Sequence, residues 1–287
     1  MIEPTISPRL PRIALAVILV FITSYIYVYL ATPFPSPWSD VVLLLLIVIP
    51  VFLAAVVATH LWLTFRQDDT PRPVWRSFSL GLWSWMFAES GWLLYWLIQR
   101  QIPNPSVLDF FWLLGFLFFG LAFMYQFRLV APGSIWNELR WLVGVTLGVV
   151  ALALLTTMLI MNYGWGKDLR WISTFFDVFY VFADLGVTVA ALRLAGIFGR
   201  GLWGSTWIAL WVMTLSDALY SFMALSGYYA LSVESGNLLS MLTDLLYALS
   251  YLIMAIVCYE QYLLIRHGPS LTPHQSIDEI APPDGLN

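Results

Sequence analysis

Long apolar runs alternate with short polar or proline-containing segments along most of the chain. An α-helix of about 20 apolar residues can cross the hydrocarbon core of a bilayer. Eight runs approach or exceed that length, and segments such as PFPSP (33–37) and PNP (103–105) separate them, because proline ends helices. We therefore predict an all-α integral membrane protein with eight transmembrane helices, at residues 13–31, 40–65, 75–98, 107–129, 141–162, 172–197, 204–228 and 238–264.

The composition agrees with a membrane protein and excludes several other classes. Of the 287 residues, 60% are hydrophobic and only 10% are charged, whereas about 25% of the residues in a soluble domain are charged. The formal net charge of −4 provides no basic surface for nucleic acid, and the single Cys258 cannot form a disulfide within the chain. No nucleotide-binding loop, zinc-protease helix or nucleophile elbow is present. We expect membrane lipid as a partner, and no cofactor, metal or nucleic acid.

Arginine and lysine are distributed unevenly between the two sides of the predicted spans. The N-terminus, the connections between spans 2–3, 4–5 and 6–7, and the C-terminal tail hold ten of the 13 basic residues. The other four connections hold only Arg100, Lys167 and Arg170. Because basic connections stay in the cytoplasm, we predict a multi-pass plasma-membrane protein with both termini cytoplasmic.

Two segments carry the same pattern of aromatic and acidic residues. At an offset of 128 residues, Trp83, Glu89 and Trp92 correspond to Trp211, Asp217 and Tyr220. At an offset of 135, Asp109, Trp112 and Gln126 correspond to Asp244, Tyr247 and Gln261, and at 137 Asp40 corresponds to Asp177. Spans 2–4 therefore match spans 6–8. We infer an internal duplication.

A four-span unit crosses the membrane an even number of times, so both copies point the same way. We divide the chain into a cytoplasmic N-terminus (1–12), a first four-helix repeat (13–136), a second four-helix repeat (137–265) and a disordered cytoplasmic tail (266–287).

Seven acidic residues lie in the outer halves or at the outer ends of the predicted spans. Four of them lie at outer helix starts, where an acid caps the helix and favours the positive end of its dipole: Asp40, Asp109, Asp177 and Asp244. The sequences Ser106-Val-Leu-Asp109 and Thr174-Phe-Phe-Asp177 have the form of a capping box. Capping is therefore the simpler interpretation for these four residues.

Glu89, Asp184 and Asp217 lie too far inside their spans to cap a helix. A charged side chain at the centre of a bilayer costs about 2.5–3.5 kcal/mol on insertion scales. Hydrogen bonds to neighbouring helices would explain the three acids structurally. The functional interpretation is an outer cavity that binds a cationic or amphipathic ligand through charge and cation–π contacts. Its predicted binding residues are Glu89, Asp217, Asp184, Trp92, Tyr220, Tyr95, Asp109, Trp112, Asp244 and Tyr247, with Tyr180 as a further aromatic residue of the lining.

Three other features have simple alternatives. His60 is the only histidine inside a predicted span, and either it packs and hydrogen-bonds or it ligates a haem or pigment. Arg193 is the basic residue considered as a partner for the acids, and it lies near the opposite, cytoplasmic end of its span. Small residues predict close helix contacts, at Ser90-Gly91, Gly144, Gly148, Gly186 and Ala190.

The segments WSWMFAESGWLLYW (83–96) and NPSVLDFFWLLGFLFFGLAF (104–123) resemble the N-terminal multi-helix membrane sensor of many bacterial and archaeal signalling proteins. In that family a tryptophan, an acid and another aromatic in one span precede Pro-Ser-x-x-Asp and an aromatic in the next. Here these places are filled by Trp85, Glu89, Trp92, Pro105, Ser106, Asp109 and Trp112. The resemblance implies sensing or ligand recognition. No kinase, cyclase or PAS module follows in this sequence, so we expect signalling through a partner in trans.

Other functions stay open from the sequence. A transporter fits parallel repeats that carry acids near the middle of the membrane. An intramembrane enzyme could use a carboxyl pair such as Asp184 and Asp217 on a lipid, although no motif supports that chemistry. A structural or pigment-carrying subunit of a complex fits the 15 tryptophans.

Overall fold

The computed structural model describes residues 10–100, 103–130, 135–163, 170–198, 202–230, 232–233 and 236–267. Over these ranges the protein consists of eight α-helices without a strand. The helices are α1 (Leu10–Ala31), α2 (Trp38–Leu63), α3 (Arg72–Gln99), α4 (Leu108–Val130), α5 (Ile135–Tyr163), α6 (Trp171–Phe198), α7 (Leu202–Ser226) and α8 (Leu238–His267).

The observed helices match the eight predicted ones to within a few residues, with one exception at the start of α5. That helix begins at Ile135 rather than at residue 141. At the other end, α8 continues into the predicted tail as far as His267, where the Arg266 guanidinium donates to the Tyr262 hydroxyl at 2.7 Å. The rest of the predicted tail lies outside the described residues.

Among the described residues, seven helices are long and apolar enough to cross a membrane, which suggests a multi-pass membrane protein. The exception is α3, the least apolar of the eight helices. It carries Glu89 and several serines, and Glu89, Ser77, Ser79 and Ser84 are buried against protein. Because its polar side chains face other helices, α3 does not need an apolar surface all round.

Six helices form a closed ring, in the order α2, α3, α4, α6, α7 and α8, with α8 returning to α2. The remaining two helices lie outside the ring at corresponding places. Helix α1 contacts α2 and α8, and α5 contacts α4 and α6. Both are among the least buried helices of the protein. The α4–α6 contact is less extensive than the α2–α8 contact.

The ring is held by an apolar core and by hydrogen bonds between neighbouring helices. The largest core cluster contains Phe78, Trp85 and Phe119, and the Trp85 and Phe119 rings meet at 4.6 Å between centroids. The Thr59 and Ser79 hydroxyls meet at 2.8 Å between α2 and α3, and those of Thr188 and Thr214 at 3.0 Å between α6 and α7.

The predicted small-residue contacts are only partly present. A Cβ on Gly91 would meet the Leu108 side chain, and one on Gly186 would lie 3.6 Å from Val149 of α5. A Cβ on Gly144 or Gly148 would meet no described atom within 4 Å, so the prediction of a close contact within the described structure is wrong for these two residues. Both glycines lie on α5, which is outside the ring and contacts only α4 and α6 among the helices with several contacts.

Candidate functional site: an acidic and aromatic cavity inside the ring

A cavity of about 300 Å³ lies inside the ring, and every ring helix contributes to its wall. It lies towards the end of the ring where α2, α4, α6 and α8 begin and α3 and α7 end. All seven acids considered in the sequence line it, namely Asp40, Glu89, Asp109, Asp177, Asp184, Asp217 and Asp244. Among the described residues that line the cavity, none is arginine, lysine or histidine.

The carboxyl groups of Asp184 and Asp217 lie against each other between α6 and α7. Asp184 is 1% exposed, and neither of its carboxyl oxygens has a hydrogen-bond donor within the described part of the chain. Buried polar atoms in proteins are nearly always hydrogen-bonded. Asp184 therefore needs a donor, which a ligand in the cavity or a proton on one of the two carboxyl groups could supply.

Glu89 of α3 is held from two other helices. Its Oε1 accepts hydrogen bonds from Trp112 Nε1 at 3.0 Å, from the Tyr247 hydroxyl at 2.6 Å and from the Tyr251 hydroxyl at 3.0 Å. Three neutral donors stabilise negative charge on one oxygen without supplying positive charge. The hydrogen-bonding interpretation from the sequence is therefore correct for Glu89, and it does not exclude the functional one, because Glu89 also lines the cavity.

Asp109 caps its helix as predicted and also joins two helices. Its Oδ2 accepts the Ser106 amide at 2.6 Å, and the Ser106 hydroxyl accepts the Leu108 amide at 3.1 Å. Its Oδ1 accepts the Tyr180 hydroxyl of α6 at 2.6 Å. Asp109 therefore ties the start of α4 to the wall of the cavity.

The capping interpretation is wrong for Asp177 and Asp244. Helix α6 begins at Trp171, so Asp177 lies in the second turn, where Asn104 Nδ2 donates to its Oδ1 at 3.1 Å. The first turn of α8 is capped by Asn237, whose Oδ1 accepts two backbone amides at 3.0 Å. Asp244 instead accepts the Tyr229 hydroxyl at 2.9 Å.

Tyr229 and Asp40 connect the cavity to the segment between α7 and α8. Burial, followed by the charge of Asp244, raises the pKa of the Tyr229 phenol above its ordinary value, so Tyr229 remains a proton donor to Asp244. Asp40 lies in the first turn of α2, but its Oδ1 accepts the Val233 amide at 2.8 Å and its Oδ2 the Ser232 hydroxyl at 3.3 Å. Its carboxylate therefore holds this connection rather than capping α2.

Aromatic rings form a continuous wall beside the acids. Trp92 and Trp112 meet edge to face at 5.7 Å between centroids, and Trp112 meets Tyr180 at 6.0 Å. Phe116 stacks on Tyr180 at 6.2 Å. Because the faces of aromatic rings attract cations, the wall adds to the attraction that the carboxylates have for positive charge.

Nine of the ten predicted binding residues line the cavity, together with Tyr180. Tyr95 does not. It lies six residues after Glu89, which places it on a different face of α3. The prediction also missed Tyr251, although its spacing of four residues from Tyr247 on a helix puts both on one face. Tyr251 bonds to Glu89 but is not part of the lining. The prediction also missed three tyrosines that do line the cavity: Tyr25 and Tyr29 of α1, which lies outside the ring, and Tyr229 of the connection between α7 and α8.

His60 and Arg193 lie away from the cavity. His60 is exposed near the end of α2. The Arg193 guanidinium lies 5.9 Å from the centre of the Phe127 ring. Neither residue neutralises the acids.

No group of three or more metal-ligating side chains that could hold a metal ion occurs in the described parts of the chain. No protein-family model, curated protein or solved structure matches the chain. The function proposed for the candidate site therefore rests on the chemistry of its own residues.

Proposed function

We propose that the protein is a plasma-membrane sensor or ligand-binding protein whose cavity receives a small cationic or amphipathic ligand from outside the cell and signals through a partner in trans. The observation that carries the proposal is the cavity itself, which brings seven carboxyl groups together and has no basic residue in its described lining. The aromatic wall suits an organic cation. The volume of the cavity suits a small one, because it lies at the lower end of the roughly 300–1,000 Å³ usual for ligand pockets.

The arrangement of the helices supports two parallel four-helix repeats within eight membrane spans. Under this proposal α1–α4 correspond to α5–α8. Helix α1 lies beside α2 and α8, and its counterpart α5 lies beside their counterparts α6 and α4. Glu89 and Asp217, which correspond in sequence, both line the cavity. The likeness of residues 83–123 to bacterial and archaeal sensor regions favours a signalling role for this scaffold.

The uneven distribution of arginine favours cytoplasmic termini and a cavity in the outer half of the membrane. Arg66 and Arg76 lie at the ends of α2 and α3 that are remote from the acids, and so do Arg128 and Arg193 at the ends of α4 and α6. Because basic ends stay in the cytoplasm, the opposite end of the ring, which holds the cavity, would face outwards.

A transporter is the second candidate. The Asp184–Asp217 pair favours it, because an intramembrane carboxyl pair can take up and release a proton or cation during transport. An enzyme that uses the same pair has less support, since no motif in the sequence supports that chemistry. The 15 tryptophans include Trp85 and Trp112, which pack within the protein, so they provide no support for a pigment subunit.

The proposal is tested with purified protein and a panel of phenethylammonium, butylammonium, choline and sodium, each titrated while thermal unfolding is followed. We expect at least one organic cation to raise the unfolding temperature of the wild type. The double variant Glu89→Gln/Asp217→Asn should lose that response, because it removes two carboxylates from opposite sides of the ring.

Glu260→Gln is the matched control, since Glu260 lies on α8 outside the lining of the cavity, and its response should equal that of the wild type. A response that is equal in the double variant and the wild type would reject the proposal, as would the absence of any response across the panel. Uptake of the stabilising cation into liposomes that contain the protein would favour the transporter over the sensor.

A further inference from the structure

Asp184 differs in its hydrogen bonding from five of the other six acids of the cavity. Five of them each accept a hydrogen bond from a described donor of the protein: Asp40, Glu89, Asp109, Asp177 and Asp244. Asp184 lines the cavity beside Asp217, but its two carboxyl oxygens are buried and accept a hydrogen bond from no donor in the described part of the protein. The cavity therefore has one position at which buried acceptors lack donors.

We propose that this carboxyl pair is the binding site for a protonated primary or secondary amine, and that the ligand of the cavity is recognised through its N–H groups. The inference rests on the proposed function and narrows the ligand to one chemical class. An alkylammonium has up to three N–H donors on a single charge, so one group can bond to Asp184 and Asp217 together. It supplies both the missing donors and the missing positive charge.

A quaternary ammonium would supply the positive charge but not the hydrogen-bond donors. Its charge would be attracted by the aromatic rings of Trp92, Trp112 and Tyr180, but it has no hydrogen to donate to Asp184. The oxygens of Asp184 would then stay buried without a partner, and an unsatisfied buried acceptor costs free energy.

A metal cation is also disfavoured. Apart from Asp184 and Asp217, no third metal-ligating side chain completes a group in the described structure. The lining also contains aromatic rings, which suit the carbon skeleton of an organic ligand, at Trp92, Tyr180 and Tyr220.

Ser216 and Thr243 also line the cavity and carry hydroxyl groups. The Ser216 hydroxyl already donates to the Thr243 carbonyl at 2.8 Å, and the Thr243 hydroxyl donates to the Leu239 carbonyl at 2.9 Å. Their hydroxyl hydrogens are therefore engaged elsewhere and do not supply donors to the carboxyl pair. The donors come either from a ligand, as proposed, or from a proton that Asp184 and Asp217 share, and the Asp184→Asn variant distinguishes these two sources.

The first arm of the test compares phenethylammonium with its N,N,N-trimethyl derivative on the wild-type protein. The two probes share the charge and the aromatic body, and in the second probe three methyl groups replace the three N–H donors. We expect the trimethyl probe to bind at least about tenfold more weakly by titration of the unfolding temperature, since it cannot bond to Asp184. Equal or tighter binding of the trimethyl probe would overturn the inference.

The second arm measures phenethylammonium binding by Asp184→Asn, with Glu260→Gln as a control outside the cavity. We expect Asp184→Asn to weaken binding about tenfold or more and Glu260→Gln to leave it unchanged. Unchanged affinity in Asp184→Asn would mean that the two carboxyl groups share a proton instead, and would overturn the inference.

The outcomes separate this inference from the proposed function. If choline or the trimethyl probe binds at least as tightly as phenethylammonium and the Glu89→Gln/Asp217→Asn variant loses that binding, the cation-binding function stands and the amine site is rejected. If no organic cation stabilises the protein, both are rejected. The wild-type comparison does not depend on the folding of any variant.

Discussion

Glu89 shows how a single carboxylate is accommodated inside a largely apolar ring. All three of its described donors converge on Oε1, and they come from Trp112 of α4 and from Tyr247 and Tyr251 of α8. The hydroxyls of the two tyrosines also lie 3.1 Å apart. This cluster joins three helices at the wall of the cavity, so Glu89 contributes to stability as well as to the charge of the site.

The double variant Tyr247→Phe/Tyr251→Phe tests this role. It removes two of the three donors but keeps both rings, so we expect a loss of about 1–2 kcal/mol of unfolding free energy. The measurement is thermal unfolding of the purified protein, followed by circular dichroism.

Tyr27→Phe is the control, because Tyr27 is 59% exposed on α1 and removing its hydroxyl should change little. If the double variant unfolded at the same temperature as the control, the hydrogen bonds to Glu89 would contribute no net stability.

The acids at the helix starts show what sequence reasoning could and could not predict at this scale. The Ser106–Asp109 capping box is local, and the spacing of the two residues was sufficient to predict it. The partners of Asp40 and Asp244 come from the connection between α7 and α8. No local pattern reports such a contact, because it depends on how that connection folds back over the ring.

At the scale of a helix pair, α3 and α4 pack closely because a glycine faces a tryptophan. The Trp85 indole lies against Gly115, where a Cβ would overlap its ring atoms. Trp85 is 2% exposed, packs against Phe116 and Phe119, and donates from Nε1 to the Trp112 carbonyl at 3.1 Å. The indole therefore has no room to move away.

We expect Gly115→Ala to destabilise the protein by about 1–3 kcal/mol, because the added methyl group overpacks the α3–α4 contact. The matched variant is Gly148→Ala, at a position with nothing within 4 Å, where alanine should be neutral or stabilising because it favours the helix. Both are measured as changes in thermal unfolding. Equal effects of the two substitutions would contradict this account of the contact.

Contacts with neighbouring helices explain how α3 belongs to the ring although it is the least apolar of the eight helices. Its hydrophobic pattern is broken by Glu89 and by serines that bond or pack against neighbouring helices. The sequence predicted this span from the length of its apolar run, whereas its burial against α2 and α4 follows only from the structure.

For the whole molecule, the six ring helices contact one another in a closed order, and α1 and α5 lie outside the ring, each beside two of its helices. This arrangement places the acid-bearing ends of the six ring helices around one cavity. If the arginine distribution sets the orientation, the connection that contains Asp68 is cytoplasmic and the one that begins at Arg100 is outside.

Cysteine labelling tests this orientation. In a Cys258→Ser background, Asp68→Cys and Arg100→Cys each place one thiol at an exposed position. We expect a membrane-impermeant maleimide to label Arg100→Cys in intact cells and Asp68→Cys only after permeabilisation. The reverse pattern would place the cavity on the cytoplasmic side and would reject an extracellular ligand.

The sequence by itself determined the helices, because a chain in a bilayer satisfies its backbone hydrogen bonds within each helix and needs about 20 apolar residues to span it. The alternating direction of successive helices then brought most of the predicted site residues to one end. Only the tertiary structure decided that Asp184 lies against Asp217 and that Tyr251 reaches Glu89. Contacts between helices depend on side-chain packing and polar bonds across the whole ring, and a linear pattern does not contain them.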